Sequence, residues 1–508
     1  MEFCNKKLEH LPRLSWCICY KKGSQLVDVY HGSDIEVSEK FIFEGIWDDD
    51  FKKMNFDKSS IFMGTGCLIK NNKLILCTPC HTLAKIFVVR YENELFASNS
   101  LPFLLALSNI EIDKKYIFYC NDLRSIMVGL KKCSTSIPTL IKNKSINIYY
   151  FCNITINNNL SITKTEKPII ATFNNFTEYK MFIENSVIKI YNNSQDNERK
   201  IKYEPLTTIS TGYDSPACSI FAKKIGCKEG VTFKTSRRYI NDSNDSGIEI
   251  GKKIGLNVYQ YDRKQYLKSH TMPEAEFFAC GTLGEDVAML PLENILKNRI
   301  FFTGFHGDKI WNKQNNKASK FIKRGDCSGC SMEEFRLRVG FIHVPIPFFG
   351  CANHYDIHKI SNSEEMKPWT LNTDYDRPIP RRIIEEYGID REDFGIEKKA
   401  ITIVFMPDKL KNNMTKESYV DFTKYKETIP KNSKPLKVLK YKFLYNLSIL
   451  NTKWNSIITK LFRKIGFKIH LNRIFNTTLK IGDTFYTFHW GIEKIKKRYE
   501  IKNDGGKP

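Results

Sequence analysis

The segment Gly325-Asp326-Cys327-Ser328-Gly329 constrains this chain more than any other stretch. Glycine reaches backbone conformations closed to other residues, so this segment can turn sharply and aim several amide N–H groups at one point. Chemistry that builds negative charge on a carbonyl oxygen needs such a turn, because the amides can act as an oxyanion hole. A thiol at the apex becomes a nucleophile once a neighbouring histidine takes its proton. Downstream, Val339-Gly340-Phe341-Ile342-His343-Val344 reads as an apolar strand returning beside the turn, with His343 lining a pocket.

A second histidine has the surroundings of a base. Ile61 to Lys70 and Lys73 to His81 read as two apolar strands joined by an Asn71-Asn72 turn, the second ending at His81. A histidine held at a strand end can meet a nucleophile supplied from elsewhere in the chain.

Together the two stretches resemble the histidine and nucleophile regions of chymotrypsin-fold cysteine proteases, the picornain type of positive-strand RNA viruses being most similar. The likeness covers about residues 58–90 and 280–356, and the order, histidine before cysteine, also agrees. It implies a mainly β protein: a chymotrypsin-like double β-barrel, here with a large insertion and a C-terminal α/β extension. It also implies a cysteine endopeptidase acting on a polypeptide, its own viral polyprotein. Cys327 would attack the peptide carbonyl and His81 would shuttle the proton. Backbone amides of Gly325, Asp326 and Cys327 would hold the oxyanion, and His343 would line the specificity pocket. This chemistry needs no metal and no organic cofactor. The acid that fixes the imidazole tautomer has two candidates. Asp286 lies in Gly284 to Leu292, which resembles the family's Asp-x-Ala-x-Leu strand, while Asp122 has the more natural spacing from His81. Ile322 stands where the family carries a threonine, and Ser328 replaces a glycine.

On this reading the chain divides into an N-terminal extension (1–57), a first part of the barrels with His81 (58–129) and an insertion (130–270). The remaining barrel strands follow, with Asp286, Cys327 and His343 (271–356), and then a basic C-terminal region (357–508). Within the insertion, Asn153 to Thr163 alternates like a hairpin, and no repeat or phosphate-binding glycine loop stands out. Arg299 to Phe305 reads as the first strand of the second barrel, Pro378-Ile379-Pro380 as a break, and Arg381 to Tyr387 as a short helix. Leu439, Phe443, Leu447, Leu450, Trp454, Ile458 and Leu461 recur at helical steps among lysines, predicting a basic amphipathic helix.

Charge suggests further partners. Lysine and arginine (79) outnumber aspartate and glutamate (56), a net +23 that suits RNA or an anionic membrane surface, although an AT-rich coding sequence yields the same lysine excess. No signal peptide and no apolar run of about 18 residues is found, and fifteen scattered cysteines read as reduced thiols, so a cytoplasmic location is expected, that of the host for a viral protein. Two non-protease readings remain. One is an RNA- or membrane-binding protein with a relic barrel. The other is a zinc-stabilised domain using Cys77, Cys80, Cys327 and Cys330. A redox dithiol at Cys327 and Cys330 lacks thioredoxin-like surroundings.

Overall fold

A computed structural model describes residues 1–116, 118–169, 172–238, 241–315, 318–373, 375–395, 399–405, 409–429 and 484–501. Residues 1–166 build two sheets. The first runs β1 (Glu2–Lys7), β3 (Leu26–His31), β2 (Trp16–Lys21), β9 (Glu94–Ser98), β8 (Ile86–Tyr91), β11 (Ser145–Tyr149), β10 (Ser136–Pro138), and is antiparallel except for the β1–β3 pair. The second, wholly antiparallel, runs β13 (Ile162–Glu166), β12 (Cys152–Ile156), β7 (Lys73–Cys77), β6 (Phe62–Lys70), β5 (Phe41–Trp47), β4 (Glu36–Val37). The buried Trp16 indole N–H donates to Thr65 Oγ1 at 2.9 Å, tying one sheet to the other. The β6–β7 hairpin forms where the sequence predicts it. Asn71 and Asn72 both take positive φ, as a two-residue hairpin turn requires.

The chain then changes architecture. β14 (Glu204–Thr208), β15 (Glu229–Phe233), β18 (Asn257–Tyr261), β19 (Arg299–Thr303) and β20 (Ile342–Pro345) form one parallel sheet in the order β18-β15-β14-β19-β20. A small hairpin, β16 (Thr235–Arg238) with β17 (Asn241–Asn244), follows β15. Parallel neighbours need crossovers, and helices supply them here. α1 (Asp214–Lys223) links β14 to β15 and α2 (Ile248–Ile254) links β15 to β18. Short helices, Glu274–Ala279 among them, precede β19, and Glu333–Val339 precedes β20.

This arrangement corrects the double-barrel expectation. Among the described residues every sheet is open, and with 36% helix and 24% strand the protein is mixed rather than mainly β. Strands on both sides of residue 270 share one parallel sheet, and strands on both sides of residue 57 share the N-terminal sheets, so neither boundary separates folding units. Arg299 to Thr303 is a strand as read, but its neighbours are parallel. The stretch after Asp286 is a 3-10 helix, Val287–Leu292, rather than a strand. Pro378 opens the helix Pro378–Glu386 instead of breaking the chain, because proline's fixed φ suits a first helical turn.

Buried polar links join the two halves. Arg336 donates to both Glu44 carboxylate oxygens (2.7 and 2.8 Å) and to Glu333 (2.8 Å), and the Leu14 amide donates to the Leu337 carbonyl. The helix Thr484–Lys496 crosses Glu274–Ala279 so closely that a Cβ on Gly491 would lie 2.7 Å from the Ala279 nitrogen. Residues 484–501 therefore belong with the core rather than with a separate C-terminal region. The amphipathic helix predicted over Leu439 to Leu461 lies outside the described residues. No helix among the described residues is long and apolar enough to cross a membrane.

Candidate functional site

The parallel sheet lays down its central strand first. From β14 the chain moves outward through β15 to β18, then returns to place β19 and β20 on the other side. Where strand order reverses in this way, the loops leaving neighbouring strand ends diverge and open a crevice. A cleft of about 190 Å³ occupies that position, between the carboxyl ends of β14 and β19. Ile209, Val231, Phe233, Met289 and Phe305 give it apolar walls, and Thr208, Ser210, Ser215 and Thr303 bring hydroxyls.

Its floor is the loop Ser210-Thr211-Gly212-Tyr213, which runs from β14 into α1. The loop is held in a defined shape. Ser210 and Ser215 hydroxyls share a 2.7 Å hydrogen bond, and the Gly212 amide donates to Ser210 Oγ. The amide and hydroxyl of Thr211 both donate to Asp245 Oδ1, and Lys399 donates to Thr211 Oγ1 at 3.1 Å. Arg377 donates to Asp214 at the first turn of α1. Tyr213 stacks between Tyr375 and Phe394, so the segment after residue 370 clamps the loop from outside. On the β19 side, a Cβ on Gly304 would fall 2.8 Å from the Asp214 carbonyl carbon, so only glycine lets the two loops approach this closely. His306 lines the cleft with its ring stacked on Phe348, and among the described residues its Nε2 has no hydrogen-bond partner. Burial, reinforced by the Arg324 charge, holds that imidazole well below the usual histidine range, so it stays neutral.

Of the predicted site residues Asp326 lines this cleft, while His81, Asp122, Asp286, Cys327 and His343 do not. Gly325 and Gly329 do take positive φ, so the turn around Cys327 is real. Of the three amides expected to hold an oxyanion, that of Gly325 is spent within the protein, as are those of Ser328 and Gly329. Gly325 N–H donates to the Met127 carbonyl, Ser328 N–H to Asp326, and Gly329 N–H to Asp286. Asp286 also accepts from the amide and hydroxyl of Ser331, and burial pushes it up to about 6. It holds this loop rather than an imidazole. Asp122 accepts from the Tyr116 hydroxyl at 2.7 Å. His81 is buried, and its Nδ1 accepts from the Leu83 amide at 3.1 Å, which places the proton on Nε2. A triad needs the opposite tautomer, with Nδ1–H facing the acid and Nε2 open to the thiol. His343 lies on β20, where its Nε2 shares a 2.8 Å hydrogen bond with Thr303 Oγ1, and its ring centroid is 6.4 Å from that of His81. Burial pushes His343 down to about 3. Cys327 is buried, its Sγ facing the Arg124 carbonyl.

Zinc fares no better, since among the described residues no three histidine, cysteine, aspartate or glutamate side chains come together as metal ligands.

Comparison with known proteins gives no family: no protein-family model matches the chain and no curated protein matches it. The cleft residues were invisible to motif reading because the 209–213 loop carries one glycine where a dinucleotide fingerprint carries three. The signal that existed was local: an apolar strand, a hydroxyl-rich turn with a glycine, then a helix opening on Asp214.

Proposed function

We propose that this protein binds a nucleotide in the cleft at the carboxyl edge of the parallel sheet. The observation that carries this reading is the reversal of strand order between β14 and β19, with a hydroxyl-bearing loop leading straight into α1 at that point. The amino end of α1 and the Ser210 and Ser215 hydroxyls suit phosphate oxygens. Lys399 reaches the same loop from the 399–405 segment through Thr211, and Asp214 already has Arg377 as its counter-charge, so the carboxylate does not meet an incoming phosphate uncompensated. The apolar surface of Ile209, Val231 and Phe233 suits a base, and His306 Nε2 offers a hydrogen bond from the opposite wall. Titration calorimetry of the full chain with magnesium ATP tests this. Binding is expected, and Lys399→Ala should weaken it by roughly tenfold or more, the loss of one charge-assisted contact. Absence of heat with ATP and with other nucleoside triphosphates would remove the reading.

A cysteine peptidase acting on a viral polyprotein stands second. What favours it is proximity: His81, Gly329 and His343 line one small buried pocket. Against it weigh the His81 tautomer, the engaged Gly325 amide, and two aspartates that both serve other partners. Its test is self-cleavage or cleavage in trans, which Cys327→Ala should abolish.

A further inference from the structure

Arg324 is fully buried, and among the described residues no carboxylate pairs with it. Its Nη1 donates to Cys330 Sγ at 2.6 Å and its Nη2 to the Ser328 carbonyl. A guanidinium cannot shed its proton, so burying it without a counter-charge costs several kcal/mol. The atom placed to neutralise it is the Cys330 sulfur. Cys327 and Cys330 belong to one tight turn, the Cys330 amide donating to the Cys327 carbonyl at 2.9 Å, while Cys327 Sγ faces the Arg124 carbonyl and Cys330 Sγ the Thr82 carbonyl, each at 3.8 Å. A four-residue turn brings its end Cα atoms within about 7 Å, inside the reach of a disulfide.

We propose that Cys330 is a thiolate held by Arg324 and that Cys327 and Cys330 form a redox pair beside the cleft, oxidised by peroxide to a disulfide. The inference does not rest on nucleotide binding. The Cys330 thiolate attacks one peroxide oxygen. The O–O bond breaks, hydroxide leaves and takes a proton to become water, and Cys330 becomes a sulfenic acid. Cys327 then attacks the sulfenic sulfur. Its own proton goes to the departing hydroxide, and a second water forms with the S–S bond. The two sulfurs together lose two electrons and the peroxide gains them, with one proton consumed.

The surroundings favour this ordering of roles. The neighbouring Cys327 thiol and the nearby Arg324 and Lys85 charges hold Cys330 down to about 7 against burial and Asp286. Cys327 is pushed well above the usual thiol range by its Cys330 neighbour and by burial, with Arg124 and Glu285 facing it. Asp326 acts on Arg324 from further off, and Tyr150 faces both sulfurs. Because Asp326 and Ser328 line the cleft, disulfide formation strips Arg324 of its counter-charge next to that lining and forces the loop to rearrange.

Two readouts on the full chain test the proposal. Ultraviolet thiolate absorbance, titrated from about pH 5 to about pH 9, should show one ionisation with a midpoint near 7 that Cys330→Ser removes. Should Cys330→Ser fail to fold, the wild type decides alone, since burial pushes thiols such as Cys67, Cys218 and Cys280 well above the usual range. No ionisation below about pH 8 overturns the thiolate. Equimolar hydrogen peroxide followed by non-reducing peptide mapping should find the Cys327–Cys330 disulfide before any other cysteine is modified, and dithiothreitol should reverse it. Cys327→Ser should stop at a sulfenic acid that dimedone traps. Oxidation of other cysteines first, or no disulfide at this pair, overturns the redox role.

Discussion

Replacing Asp286 separates a loop-holding carboxylate from a catalytic one. In the wild type its two oxygens take the Gly329 amide (2.8 Å), the Ser331 amide (3.0 Å) and the Ser331 hydroxyl (2.6 Å), all away from water. In Asp286→Asn the amide oxygen can keep Gly329, and the Ser331 hydroxyl can rotate to accept from the new NH2. The Ser331 amide cannot, so one buried donor faces another, at a cost of about 2 kcal/mol. Asp286→Ala orphans both amides and opens a void, raising the cost to about 4 kcal/mol. Urea unfolding of the wild type and both variants at neutral pH should give that order, and either loss is a large share of a typical domain's stability. A triad aspartate predicts another pattern: activity lost while the unfolding midpoint holds. If Asp286→Asn unfolds within about 0.5 kcal/mol of the wild type, the loop-holding role is wrong.

Two further outcomes follow from the buried charges. Glu334 accepts from Tyr499 and Ser100 hydroxyls at 2.7 Å each, and burial pushes it up to about 7. A raised carboxyl contributes its stability below its unfolded value and loses it as pH rises through the folded one. Glu334→Gln should therefore match the wild type near pH 4.5 and exceed it by about 3 kcal/mol by pH 8, measured by urea unfolding across that range. Arg336→Met leaves Glu44 and Glu333 buried without their cation, and should destabilise by about 3–5 kcal/mol at neutral pH. Adding Glu44→Gln should recover part of that loss.

Legibility in the sequence followed the range of the interactions involved. The β6–β7 and β12–β13 hairpins could be read because alternation and turn chemistry lie within a dozen residues. β19 and β20 could be read as strands, but not as parallel neighbours, since strands buried on both faces show plain apolar runs and their partners lie far along the chain. The sharp turn at Gly325 to Gly329 was legible from its glycines. Its chemistry was not, because whether an amide meets a substrate oxyanion or the Asp286 carboxylate depends on a residue some forty positions away. The loop at Ser210 to Ser215 failed for a related reason. One glycine suffices there because Gly304, distant in sequence, provides the remaining close approach.

Hydrogen exchange of the full chain with and without saturating magnesium ATP tests the central claim most directly. Nucleotide at the strand-order reversal should slow exchange of the amides from Ser210 to Ser215 and of Gly304 to Asp308, while the β1–β3 pair at the far edge of the N-terminal sheet stays unchanged. Unchanged exchange in the 210–215 loop at saturation, or protection confined to the Cys327 turn and His81, would contradict it.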